Sequence, residues 1–164
     1  MRSSRLAAAA ALSCSALVAI SGCSALAGGN EPERDESGGI TEAGEADAFA
    51  IRVGDCLESM DFSDELITVP VIPCAEPHDS EVYASVDLPD GDYPGPEEVA
   101  AQAEELCYDE FEGFVGIPWD ASGLEYGYLS PTQESWERAG DREVLCMVWD
   151  PAGPTTGSLA GADR

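Results

Sequence analysis

Four cysteines, Cys56, Cys74, Cys107 and Cys146, constrain this chain more than any other feature, because they follow an export signal and so fold in an oxidising compartment. Residues 1–22 place Arg2 and Arg5 ahead of an apolar run from Leu6 to Ile20. That run is short and rich in small residues, which is the build of a signal peptide and not of a membrane span. Cys14 lies within it and leaves with it. An even number of cysteines beyond the signal implies two disulfides, with three connectivities open. The favoured pairing joins Cys56 to Cys74, stapling neighbouring strands, and Cys107 to Cys146, tying a helix to a central strand. Loop closure gives about 3 and about 4 kcal/mol as ceilings for the two. A zinc site built from the same cysteines is the competing reading, and it lacks any C-x2-C or C-x4-C spacing.

The signal ends in Ile20-Ser21-Gly22-Cys23, which resembles the bacterial lipobox. The resemblance implies cleavage ahead of Cys23 by signal peptidase II, with diacylglycerol on its thiol and palmitate-type chains anchoring the protein to the extracytoplasmic face of the cell membrane. Two or three acyl chains hold stably where one is marginal. An ordinary secretory signal cut near Ala27 is the alternative.

The whole chain has a formal charge of −26, with seven arginines, no lysine and 33 acids. Such a surface repels nucleic acid and anionic headgroups, so neither is expected as a direct partner. Cations and basic protein faces are. Residues 23–48 are dominated by Glu, Gly, Asp and Ser, with too few large apolar groups to offset ordering entropy, and are expected to be a disordered tether. Residues 151–164, rich in Pro, Gly, Thr and Ala, are expected to be a disordered tail. Between them, residues 49–150 form a single domain of about one hundred residues, enough for one modest core.

Within that domain, Ala50 to Leu57 reads as a first strand and Leu66 to Cys74 as a second, with Pro70 and Pro73 pointing to an edge position or a bulge. Pro73 and Pro77 stiffen a corner that leads through His78 into a third strand, Glu81 to Leu88, where Val82, Ala84, Val86 and Leu88 alternate with polar or aromatic residues. Pro96-Glu97-Glu98 opens a helix with proline and acids in its first turn. Its core face carries Val99, Ala100, Ala103, Leu106, Cys107, Phe111 and Phe114. Glu110 falls within that arc, which calls for an Arg partner such as Arg142 or a frayed end. Leu124 to Leu129 is a further strand. Ser135 to Arg142 reads as turn chemistry leading into Glu143 to Trp149, which is apolar on both faces and therefore expected to be central and covered on each side. The fold class is α+β: a small antiparallel or mixed sheet of about five strands packed against one main helix, with two disulfides.

His78 is the only histidine. With Asp79 and Ser80 it invites a hydrolase reading, but adjacent residues cannot give a base and its orienter triad geometry, and no G-x-S-x-G occurs. A turn histidine bonded to local backbone is the stronger reading. His78, Asp79, Glu81 and Trp136 are the candidate binding residues. Asp90-Gly91-Asp92 has the start of a calcium loop, yet Ala101 stands where the twelfth-position glutamate belongs, leaving only a weak exposed Ca2+ contact. No cofactor motif, internal repeat or nucleotide-binding glycine pattern is visible.

Val53-Gly54-Asp55-Cys56-Leu57, Val71 through Cys74, Pro77-His78-Asp79-Ser80-Glu81-Val82-Tyr83, Cys107, Pro131-Thr132, Trp136 and Gly140-Asp141-Arg142 through Cys146 together resemble the septum-formation domain family of actinobacterial envelope proteins. The G-D-C, P-C-x-x-P-H and G-D-R-x-x-x-C blocks carry the resemblance jointly. It implies a non-enzymatic extracytoplasmic module linked to division or wall growth, meeting an envelope protein partner. Many relatives carry a transmembrane helix instead of a lipobox. A cation- or ligand-binding lipoprotein, and an envelope hydrolase using His78 and a carboxylate, are the alternatives.

Overall fold

The computed structural model describes residues 31–58 and 68–164. The export signal, the lipobox and Cys23 lie outside the described residues. Among the described residues, six strands make one antiparallel sheet: β1 (Gly44–Asp47), β2 (Cys56–Leu57), β3 (Thr68–Ile72), β4 (Ser80–Asp87), β5 (Glu125–Leu129) and β6 (Glu143–Trp149). Their order is β1-β3-β2-β4-β6-β5. The helices are α1 (Pro96–Val115) and α2 (Gln133–Ala139). This is the expected α+β class with two disulfides, one strand richer than anticipated.

The sheet curls, and the curl creates two apolar layers. On one side α1, α2 and the C-terminal segment cover Tyr83, Ala84, Val144, Cys146 and Val148. On the other, Val69 and Val71 of β3 and Leu57 of β2 pack with Val82, Leu145 and Met147. Strand β6 is thus apolar on both faces because each face meets a different layer, as its sequence requires.

The α1 helix follows Gly95, has Pro96 in its first turn and stops at Gly116, whose φ of 99° is left-handed and whose N–H donates to the Glu112 carbonyl. Its buried residues are Val99, Ala103, Cys107, Phe111 and Val115. Residues four apart advance about 40° around the axis at each step, so this stripe winds about the helix. Glu110 shares the angular position of Val99 and Ala103, but by its own level the buried stripe has moved on. It is exposed and needs neither an Arg partner nor a frayed end.

Three expected assignments change, two of strands and one of a turn. Of the first expected strand, only Cys56–Leu57 pairs; a short 3-10 turn occupies Ala48–Ala50 and a tight turn brings Gly54 N–H to the Val82 carbonyl at 2.8 Å. Strand β3 is internal, between β1 and β2, despite Pro70. The Pro70 carbonyl accepts from Glu58 N–H at 3.1 Å, so the missing Pro70 donor faces the place where two-residue β2 has already ended. The turn expected across Ser135 to Arg142 is instead largely helix α2, capped by Thr132, which accepts from Ser135 N–H while the Ser135 hydroxyl answers Thr132 N–H.

Neither flanking segment is disordered where it is described. The acidic residues expected to form a tether supply β1, paired with β3 from Gly44↔Val71 to Asp47↔Thr68, with Ala46 fully buried. An outer strand needs a backbone ladder and one small apolar residue, which composition does not reveal. Arg34 fastens the same segment, donating to both carboxylate oxygens of buried Asp55 at 2.5 and 2.8 Å; those hydrogen bonds hold its guanidinium above the usual arginine range. The expected C-terminal tail is a packed strap, with Leu159 buried in the α1 layer.

Candidate functional site

The Pro73–Glu81 corner is where the sequence concentrates chemistry, and the structure shows it closed. Cys56 and Cys74 are joined by a disulfide, with Cα atoms 5.3 Å apart, and Cys107 is joined to Cys146 at 5.4 Å. This is the favoured pairing. His78 is buried and exchanges two backbone hydrogen bonds with Thr155, each 2.9 Å long. Its ring is engaged at both nitrogens: Nδ1 lies 2.9 Å from the Glu76 carbonyl and Nε2 3.3 Å from the Thr155 hydroxyl. A carbonyl only accepts, so Nδ1 carries a proton and donates to Glu76, while Nε2 faces the Thr155 hydroxyl.

Glu81 is also buried, and among the described residues no cation pairs with it. Its carboxylate accepts from the Ser158 hydroxyl at 2.6 Å and from Leu159 N–H at 2.6 Å. Asp79 is half-buried, and its backbone N–H donates to the Leu57 carbonyl at 2.9 Å. Among the described residues, Cys56, Cys74 and Glu81 bring three metal-ligand groups together, but both sulfurs are held in the disulfide and offer no thiolate.

Trp136 does not join this corner. It sits on α2, buried, with Nε1 donating to the Gly91 carbonyl at 2.9 Å beyond the far end of β4. The Arg142 guanidinium carbon lies 3.7 Å from its ring centroid, and Tyr93 meets its edge at 5.7 Å. Arg142 therefore serves this aromatic stack, and its Nε lies 3.8 Å from Asp90 in the loop that opens like a calcium site.

The side chains of the candidates His78, Glu81 and Trp136 thus all meet partners within the fold, and a surface the sequence did not mark is more open. Between α1 and β5 lies a cavity of about 190 Å3 lined by Glu104, Trp119, Glu125, Tyr126, Gly127 and Tyr128. Trp119 and Tyr126 meet edge to face at 5.6 Å, and Tyr108, exposed on α1, approaches both. The Tyr108 hydroxyl donates to Asp120 at 2.9 Å, and this bond raises its pKa. Tyr126 is raised by burial first and then by the Glu104 carboxylate. The sequence signal for this groove was available in Glu125-Tyr126-Gly127-Tyr128, an aromatic strand with a gap, but nothing in it shows which strand is outermost.

The fold and these surfaces define a disulfide-stapled α+β domain whose buried polar residues fasten its own termini. The sequence pattern of the septum-formation family matches residues 53–164, and the chain belongs to that family. The match extends through the strap, beyond the 49–150 span expected for the domain. An uncharacterised membrane protein of Mycobacterium tuberculosis, in strains CDC 1551 and H37Rv, is 31% identical over 117 residues, covering 65% of this chain. The chain spans about a quarter (25%) of the length of those relatives. No solved structure matches it. Among the described residues, no helix is long and apolar enough to cross a membrane.

Proposed function

We propose that this protein is a lipid-anchored interaction module of the bacterial cell envelope, displayed on the extracytoplasmic face of the membrane through Cys23 and serving septum formation or wall growth. The observation that carries the reading is the state of His78 and Glu81. Both ring nitrogens of the one face Glu76 and Thr155, and both carboxylate oxygens of the other accept from Ser158 and Leu159, so the groups best suited to acid-base chemistry hold the strap in place. Family membership and the mycobacterial relatives described as membrane proteins support an envelope setting. Disulfides at Cys56–Cys74 and Cys107–Cys146 support an oxidising one.

Cell fractionation tests the anchor: Cys23→Ala is expected to release the protein from the membrane fraction or leave it unprocessed. A variant that fractionates and migrates like the parent chain would remove the lipid anchor from the proposal. The enzymatic alternative is tested by incubating the purified protein with peptidoglycan, ester and peptide substrates. Turnover that disappears in His78→Ala would replace the module by a hydrolase.

A further inference from the structure

Strand β5 is the outermost strand on its side of the sheet, and among the described residues only β6 pairs with it. Its register runs unbroken from Glu125↔Trp149 to Leu129↔Leu145, with no bulge, proline or lysine to turn another strand away. The opposite outer strand, β1, is blunted by Glu45 and Asp47 in only four residues. An unprotected edge invites a further strand, and here the aromatic cavity lies along it: four consecutive β5 residues, Glu125 to Tyr128, form one wall.

The charge of the groove selects the occupant. Glu104 and Glu125 are exposed and take part in no ion pair among the described residues, whereas Arg34, Arg52, Arg138, Arg142 and Arg164 each lie within 4.0 Å of another carboxylate. The chain contains no lysine. Among the described residues no arginine is left over to complement this groove, which leaves it open to a cation from another molecule.

We propose that the β5 edge and its groove dock an extended basic segment of a partner protein, which adds as a seventh strand and lays Lys or Arg side chains over Trp119 and Tyr126 between Glu104 and Glu125. The inference rests on the interaction-module reading and names the partner's chemistry. Main-chain hydrogen bonds supply affinity in strand addition, and pockets for alternate side chains supply selectivity. A cation over an aromatic face adds to the attraction of the flanking carboxylates.

The experiment uses the full chain in mild detergent and an acetylated, amidated heptapeptide of alternating Lys and Val. Binding is followed by Trp fluorescence and by hydrogen exchange of the β5 amides. The peptide is expected to bind and to slow exchange between Glu125 and Leu129. The same peptide N-methylated at alternate backbone nitrogens should bind at least about tenfold more weakly, because it cannot complete the ladder. A Glu-Val counterpart should not bind. The double variant Glu104→Gln, Glu125→Gln, both exposed, should weaken the Lys-Val peptide by about three- to tenfold without lowering the melting temperature. Absence of binding, equal binding of the N-methylated peptide, or protection away from β5 would overturn the proposal. So would concentration-dependent dimerisation that protects β5 without peptide, which would assign the edge to a second copy. None of these outcomes would touch the module reading, which falls instead to substrate turnover by the unmodified chain.

Discussion

His78 shows how a residue that looks chemical becomes mechanical. Its backbone and ring together make four contacts, to Glu76 and Thr155, and the side chain is almost wholly buried. His78→Ala removes the ring's bonds and leaves a cavity, so we expect a loss of about 1–3 kcal/mol and a lower melting temperature in thermal denaturation. An unshifted melt would mean that the corner holds without the ring. Tyr83 acts in the α1 layer: its hydroxyl donates to the Cys107 carbonyl at 2.5 Å, and its ring packs on Phe111 and Phe114. Burial raises the Tyr83 phenol well above its ordinary value of 10.0. A raised folded pKa contributes stability that is whole below the unfolded value and declines as pH rises past it, so the fold should weaken above about pH 10. Urea melts at pH 8 and pH 11 should show a smaller drop for Tyr83→Phe than for the parent chain, since the raised Tyr108 and Tyr126 remain in both. Equal drops would place the alkaline sensitivity elsewhere.

At the scale of elements, the departures from the sequence reading share a cause. Strand β4 slips register between Val82 and Ala84, so Tyr83 becomes an extra residue and the strand changes layers: Val82 packs with β2 and β3, whereas Tyr83 and Ala84 pack in the α1 layer. A strict alternation from Val82 to Leu88 could not show that. The strap after β6 returns to this bulged end, placing Thr155 on His78, Gly157 N–H on the Cys74 carbonyl and Leu159 in the α1 layer. It then runs past Gly116, where a side chain would collide with Asp163, and joins Asp163 N–H to the Val115 carbonyl at 3.0 Å. Ending the chain at Asp150 would expose the Leu159 site and leave buried Glu81 without donors. We expect a loss of at least about 3 kcal/mol, from the apolar burial and the orphaned carboxylate together. Chemical denaturation of the truncated chain measures it, and a midpoint equal to that of the full chain would show the strap to be dispensable.

The whole molecule is an acidic body with few cations, and the five arginines among the described residues are each engaged locally. Arg34 alone is well buried in its pair with Asp55; Arg52 and Arg138 make exposed pairs worth little. The remaining carboxylates repel one another across the surface. Screening shortens that repulsion to about 10 Å at 0.1 M salt. The melting temperature should therefore rise between about 0.01 and about 0.3 M sodium chloride, whereas the Arg34–Asp55 pair, shielded by burial, should hold throughout. A falling melting temperature would mean that the ion pairs outweigh the repulsion.

The sequence by itself determined the α+β class, the extent of α1 and β6, and the favoured disulfide partners, because these rest on local pattern: proline and acids at a helix start, four-residue apolar spacing, and cysteines set beside predictable elements. The local backbone bond of His78 was also legible, since a histidine next to Asp79 and Ser80 in a stiff corner has no triad geometry open to it and finds its partner nearby. Tertiary structure decided what Glu81 touches, since its partners lie 77 and 78 residues away. It also decided that Trp136 stands apart from the corner, that Pro70 can sit in an internal strand, and that two polar termini are parts of the fold. The physical reason is common to all of these. A low-hydrophobicity segment is stable when a sheet edge, a buried carboxylate or a guanidinium elsewhere in the chain supplies its partner, and strand order, which composition and periodicity do not encode, determines whether that partner is within reach.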